Sequence, residues 1–450
     1  MSREEAPVLK RLRALCALVL IAALPRAAAS AEGIAAWTLW LDAPPASSAA
    51  PAPVFPGERE LASLRANRAW LEQWAAQAPS VPWSDVVVGL IVKYQQNPQR
   101  AGRSLAYLHT AIHDALVACA RRGCDSAVRP IAMHAAASRM LDHLYPDESR
   151  GRLEALGHSA ATAVLAANGA HARAGMAWQT GRAVAENAIR RAYYDGADLP
   201  RLPEKRPPWK PGVWRASPPL NMYDPVEPNA GQWRTWVLRN GAEIEPPPPP
   251  GYGSPAYWAD VDEVRAVAAA LSADQKRIAD EWNLAAGSVT PPGVWNIHAK
   301  KLALEGKLDA AQAARVFSTL NVAMLDAMIA CWHAKYKWWI ERPVTVIRDH
   351  RDPNFLPYLF TPAHPSYPSG HSVASGAAAE ALAAFFPEET AKLRAMAQEA
   401  AMSRLYGGIH FRSDNEDGLE LGRKVGLRAV ARSRDGTAAQ FAEPSAATTR

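Results

Sequence analysis

The chain has 450 residues, of which 49% are apolar, 21% charged and 8% aromatic, a globular composition that excludes a disordered or fibrous protein. Half of the net charge of +6 sits in the first 31 residues, where Arg3, Lys10, Arg11, Arg13 and Arg26 stand against Glu4 and Glu5. The other 419 residues carry only +3 and show no concentrated basic face or arm, which argues against a nucleic-acid partner.

Residues 1–31 read as a signal peptide: a basic start, an apolar run from Ala14 to Leu24, then Ala29-Ser30-Ala31 before Glu32. Eleven apolar residues fall short of the roughly 20 needed to span a bilayer. No later window reads as a span, so the expected location is periplasmic or secreted. Cys119 and Cys124 would be free to pair in an oxidising compartment, leaving Cys331 odd, and buried free thiols are the alternative.

A Pro/Ala-rich leader is expected over 32–60, since Ala43 to Gly57 holds little but proline, alanine and serine. From Leu61 to about Asp195 apolar residues recur at three and four, the helical period, and even Val86 to Val92 sits between amphipathic runs that favour a helix over a strand. Leu199 to Gly253 is rich in Pro and Trp and ends in Pro246 to Pro250, a crossover between two helical halves. The expected division is an N-terminal helical region over 61–240, a Pro-rich linker over 241–256, a second helical domain over 257–435 and a tail over 436–450.

Helices resume at Tyr257. Ser272 to Gln275 and Asp309 to Gln312 have the capping-box spacing, and the second should open a long core helix from Ala310 to about Glu341, ended by Pro343. Further helices are expected at Ser372 to Phe386, Glu388 to Tyr406 and roughly Asp414 to Arg432. The fold class is therefore all-α.

Three short motifs carry the chemistry. Lys335 and Arg342, in KYKWWIERP, would lie two turns apart on one helix face. Pro368-Ser369-Gly370-His371 opens a helix, where free backbone N–H groups, a glycine and the Ser369 hydroxyl form an anion cradle. In the third, Gly407-Gly408 separates Arg404 from His410, and Asp414 follows His410 by four, a spacing at which the carboxylate can fix the imidazole tautomer. Two arginines, a lysine, a helix-start nest and two histidines suit a tetrahedral, multiply charged oxyanion.

Together, KxxxxxxRP, PSGH and SRxxxxxHxxxD resemble the tripartite signature of type-2 phosphatidate phosphatases, bacterial acid phosphatases and vanadium-dependent haloperoxidases. The segments NPQRAGRSLAYLHTAIHDA, WNLAAGSVTPPGVWN and ARVFSTLNVAMLDAMIACWHAKY resemble the bacterial haloperoxidase-like group. The resemblance implies two packed helical bundles, with Lys335, Arg342, Ser369, Gly370 and Arg404 binding vanadate or phosphate oxygens. It further implies that His410 bonds the central atom as vanadium ligand, that His371 is the acid/base and that Asp414 orients His410. Trp332 matches a tryptophan near vanadate in haloperoxidases, and His364 falls where brominating members tend to have histidine. The expected activity is vanadate-dependent oxidation of halide, bromide or iodide favoured, by hydrogen peroxide. The alternative is a secreted acid phosphatase, with no vanadate cofactor, hydrolysing phosphomonoesters through a phosphohistidine at His410. Partners are then small molecules: peroxide, halide and an organic acceptor, or a phosphomonoester; a homodimer is compatible with these features.

Three other readings are weaker. His109 and His113 stand at zinc-binding spacing beside Asp114, but no third ligand with a catalytic Glu accompanies them, and HTAIHD reads as interhelical polar packing. A non-catalytic oxyanion scavenger would lack His371 or His410, and both are present. Trp209, Trp214, Trp233 and Trp236 read as anchors of the crossover rather than a carbohydrate platform.

Overall fold

A computed structural model describes residues 31–41, 51–149, 151–169, 171–199 and 206–434; the signal over 1–31, apart from Ala31, and the tail over 436–450 lie outside them. The described residues form helices and no sheet, with Val213 and Ile340 making one isolated bridge. The N-terminal half holds α1 (Ala31–Ala35), α2 (Glu58–Leu64), α3 (Arg68–Leu71), α4 (Ser80–Lys93), α5 (Pro98–Arg121), α6 (Arg129–Leu144), α7 (Arg152–Asn168) and α8 (Ala174–Tyr193). The C-terminal half holds α9 (Pro255–Ala269), α10 (Ala273–Glu281), α11 (Thr290–Glu305), α12 (Ala310–Trp338), α13 (Pro343–His350), α14 (Gly370–Ala383), α15 (Thr390–Tyr406) and α16 (Arg412–Arg434).

Local chemistry sets these boundaries. Both expected capping boxes form: Ser272 Oγ accepts from Gln275 N at 3.2 Å while Gln275 Oε1 accepts from Ser272 N at 2.9 Å. Asp309 and Gln312 exchange the same pair at 2.8 and 3.0 Å. Each box satisfies N–H groups that the first helical turn leaves free. Asn97 caps α5 by accepting from Arg100 N at 3.0 Å, ahead of Pro98, whose missing N–H costs nothing at that position.

α5 to α8 pack as one bundle, and α12, α14, α15 and α16 as a second; α12 also packs along α5, so it joins the two. It is long and apolar enough to cross a bilayer, a property missed in the sequence, yet 94% of that apolar window is buried inside the protein, as for a core helix. Its Phe317, Leu320, Met324 and Ile329 are almost wholly buried, each stabilising the fold by about 1.5–3 kcal/mol relative to exposure. Where α16 crosses α14, a Cβ on Gly422 would stand 2.1 Å from Val373 O, so glycine permits the approach that sets the PSGH helix against Asp414.

The Trp-rich crossover is ordered by buried acceptors rather than by helices. The Asp326 carboxylate on α12 receives the N–H groups of Trp236, Val237 and Leu238 at 2.8, 2.7 and 3.1 Å. Burial pushes its pKa up to about 6, against the pull of those three donors. Val226 O accepts from Trp332 Nε1 at 3.1 Å and Tyr336 Oη at 2.8 Å, tying the same crossover to the end of α12.

Two sequence readings need correction, and one open choice is settled. Within the expected leader, residues 33–41 are docked on α5: Ile34, Leu39 and Leu41 are buried, and Asp114 accepts from Trp40 N and Leu41 N at 3.0 and 2.8 Å. Lys335 and Arg342 do not share a helix face. α12 stops at Trp338, Trp339 turns left-handed at φ 52°, and Arg342 is extended at φ −90°, ψ 153° because Pro343 disfavours helical geometry before it. Pro343 therefore starts a helix rather than ending one. Finally, Cys119 and Cys124 form a disulfide at the end of α5, leaving Cys331 free and buried.

Candidate active site

The second bundle brings all three motifs to one place. Lys335, in the last turn of α12, is fully buried and donates to Pro365 O at 2.8 Å and Ser366 O at 2.7 Å, which fixes the loop before PSGH. Burial and the neighbouring Arg342 pull its ammonium below the usual lysine range, while Asp414 opposes them. Arg342, also fully buried, donates to His364 O at 2.8 Å and Ile409 O at 2.7 Å, and its Nη1 lies 3.1 Å from His410 Nε2. Arg404, in the last turn of α15, holds Ser403 Oγ at 2.9 Å and Trp282 O at 2.5 Å. Burial lowers the two guanidiniums to about 10 and about 9, so both stay charged at neutral pH.

His410 lies in the turn before α16, and its Nδ1 is 2.8 Å from Asp414 Oδ2 in that helix's first turn. The same carboxylate oxygen accepts from Phe411 N at 3.1 Å and from Ser366 Oγ. An oxygen that receives these donors is an acceptor, so His410 donates through Nδ1 and keeps its Nε2 lone pair toward Arg342. Burial, then Arg342 and Lys335, hold the His410 imidazole well below the ordinary histidine range, and it is neutral. Burial raises Asp414, with Ser366, Lys335 and Phe411 N opposing.

Ser369 is the extended N-cap of α14, and its backbone N–H donates to Asp414 O at 2.9 Å, locking the PSGH turn to the start of α16. A Cβ on Gly370 would come 3.2 Å from the Trp332 ring, so glycine lets this helix start lie against the indole. The His371 ring borders the cavity; burial and then Arg404 lower its pKa well below the usual value, while a hydrogen bond to the Trp282 carbonyl opposes them.

Two buried polar atoms at this centre have no partner: Ser369 Oγ and His371 Nε2. Burying three cations beside one carboxylate also leaves charge uncompensated, which is costly away from water. Both features fit a multiply charged oxyanion, whose oxygens accept from the arginines, the lysine and the Ser369 hydroxyl. A cavity of about 180 Å³ reaches this centre, lined by Trp332, His364, Gly370, His371, Arg404 and His410 among others. Trp332 and His364 stand with ring centroids 5.1 Å apart, and Arg342 Nη2 lies 2.9 Å from His364 Nδ1. A larger cleft of about 630 Å³, lined by Arg190, Arg191 and Trp236, contains none of the signature residues.

All ten residues singled out in the sequence therefore converge. Sequence reading missed Ser366, which braces Asp414, and the Trp282 carbonyl, which orders Arg404; neither belongs to a periodic pattern. The HTAIHD side chains meet protein partners. His109 Nε2 meets Ser84 Oγ at 3.0 Å, His113 Nδ1 meets Asp114 Oδ1 at 2.8 Å, and no metal-holding cluster occurs among the described residues.

Comparison with known proteins gives the same direction. A family described as the VCPO second helical-bundle domain matches residues 315–395 and 387–437. The vanadium chloroperoxidase of Curvularia inaequalis is 31% identical over 112 residues, 20% of this chain and 18% of that protein, so the chain matches about a fifth of that relative's length. A bacterial vanadium-dependent iodoperoxidase structure superposes with a TM-score of 0.61 and 26% identity over 78% of this chain and 95% of its own. An apo-form bacterial vanadium-dependent chloroperoxidase gives 0.58 and 18% over 80% and 95%, a likeness of fold.

Proposed function

From the premise that this chain belongs to the haloperoxidase-like part of the type-2 phosphatidate phosphatase/haloperoxidase superfamily, we propose that it is a vanadate-dependent peroxidase oxidising bromide or iodide with hydrogen peroxide to a hypohalous-acid equivalent. The observation that carries the reading is the buried trio of Lys335, Arg342 and Arg404 around a neutral, aspartate-oriented His410, with Ser369 Oγ and His371 Nε2 unpartnered.

In this reading Lys335, Arg342, Arg404, Ser369 and the Gly370 backbone hold the oxygens of vanadate, and His410 Nε2 holds its vanadium. Bound vanadate supplies a Lewis acid that polarises peroxide without itself changing oxidation state. The protein's own work is electrostatic and protonic. The guanidiniums offer fixed forks and permanent charge to the oxygens, and Lys335 adds a point charge. Asp414 keeps the His410 lone pair aimed away from the α16 backbone. His371, held neutral by burial, accepts a proton at Nε2 from a hydroxylic co-substrate and can return it to the departing oxygen. Trp332 and His364 line the path of the halide, and the superposable iodoperoxidase supports a heavier halide.

Export to the periplasm or beyond is part of the proposal, supported by the signal-like start and by the Cys119–Cys124 bridge, which persists in oxidising compartments.

One apo sample tests the reading in two assays: bromination of a phenolic dye with peroxide, bromide and orthovanadate, beside hydrolysis of a chromogenic phosphomonoester without vanadate. Vanadate-dependent bromination suppressed by phosphate is expected. Phosphoester turnover inhibited by vanadate, with no bromination, would replace the peroxidase with an acid phosphatase.

A further inference from the structure

The cavity is not built by the second bundle alone, because the first turn of α5 contributes Pro98 and Gln99 to its wall. Gln99 is 2% exposed, yet neither Nε2 nor Oε1 of its amide has a hydrogen-bond partner. Each such buried orphan costs about 1–3 kcal/mol, whereas a leucine there would fill similar space with no polar penalty. Packing therefore gives no reason for an amide at this position. The lining of the same cavity includes His371, whose Nε2 is also unpartnered, and its other lining groups, such as Met328, Pro291, Phe360 and Ile409, are apolar.

The kind of ligand follows from the amide itself. A glutamine offers one donor group and one acceptor, so a halide would satisfy only the nitrogen side, while a hydroxyl satisfies both. The cavity of about 180 Å³ is smaller than the ~300–1,000 Å³ that encloses drug-sized organic molecules, so the occupant is small.

We infer that Gln99 forms a subsite for a small neutral hydroxylic co-substrate, hydrogen peroxide, in the cavity that also reaches the oxyanion cradle. One peroxide O–H donates to Gln99 Oε1, the oxygen of that O–H accepts from Gln99 Nε2, and the second O–H is left to His371. This rests on the peroxidase reading above. It makes Gln99 a substrate-positioning residue supplied by the first bundle to the chemistry of the second.

Gln99→Leu and the isosteric Gln99→Met test it through two readouts. The first is the melting temperature of apo protein, expected to stay level or rise, because removing an unsatisfied amide relieves a cost; a fall of several degrees in both variants would show a structural amide and overturn the inference. The second is titration of vanadate-loaded protein with peroxide in the absence of halide, followed by the near-ultraviolet difference spectrum. Half-saturation should move up on the order of tenfold, the loss of about one hydrogen bond, with KM for peroxide rising far more than kcat falls and the calorimetric affinity for vanadate unchanged. Unchanged half-saturation would remove the subsite while leaving the peroxidase intact. Wild-type protein that binds vanadate but gives no peroxide response would overturn the peroxidase reading, and this inference with it.

Discussion

His113 Nδ1 lies 2.8 Å from Asp114 in the first bundle, and His410 Nδ1 lies 2.8 Å from Asp414 in the second. All four residues are buried. The bond is the same, but its surroundings differ. The His113 ring is stacked on Trp37 and edged by Trp40, and Asp114 spends its capacity on the backbone of Trp40 and Leu41, so that pair pins the docked N-terminal segment. The His410 ring turns its second nitrogen to Arg342 and the cavity, among Lys335, Arg404 and the unpartnered Ser369 and His371 atoms. A buried polar pair that closes on its own protein holds structure, while one that ends on unsatisfied donors awaits a ligand.

Cutting each pair should separate these uses. His410→Ala is expected to lose tight vanadate binding and all detectable halide oxidation, read by calorimetry and dye bromination, while His113→Ala keeps both and melts earlier. His371→Ala should lower turnover by about 10²–10⁴, the usual share of general acid–base catalysis, with vanadate still bound. Equal activity in these two variants and the wild type would show the site to be misplaced. Asp414→Asn should reduce affinity or activity by about 10–100-fold, as for other groups that orient a ligating histidine. Asp114→Asn should instead cost about 2 kcal/mol in denaturant unfolding, with catalysis intact, because it weakens charge-assisted bonds to Trp40 and Leu41.

A smaller effect concerns pH. His364, His371 and His410 all lie well below their ordinary value of 6.5 in the folded protein, because burial and neighbouring cations disfavour the imidazolium. Below that value the unfolded chain binds more protons than the folded one, so apo stability should fall as pH drops through 6.5. The raised Asp326, Glu341 and Asp414 work in the opposite sense, but the buried His109 and His134, lowered to about 3, act with the three site histidines. A bound oxyanion favours the charged imidazoles, so the melting-temperature gain from phosphate should widen toward acid pH; a constant gain would mean that the anion sits elsewhere. The smallest change is expected from His364→Phe, a few-fold shift in the ratio of bromide to chloride oxidation.

Much of this protein was already decided by local sequence. The helical period, the boxes at Ser272/Gln275 and Asp309/Gln312, and the break at Gly407-Gly408 depend on backbone groups within a few residues, so the chain itself specifies them. The oxyanion residues were legible for a related reason: rigid chemistry demands particular side chains at particular spacings. What tertiary structure alone decided is how those pieces meet. Arg342 is aimed by a left-handed Trp339 and an extended N-cap rather than by a shared helix face, Ser366 and Trp282 brace residues 44 or more positions away, and Gln99 reaches the site from another bundle. Such contacts arise only when burial of α12 between α5 and α14 forces distant segments together, and burial, unlike capping, leaves no short-range pattern in the chain.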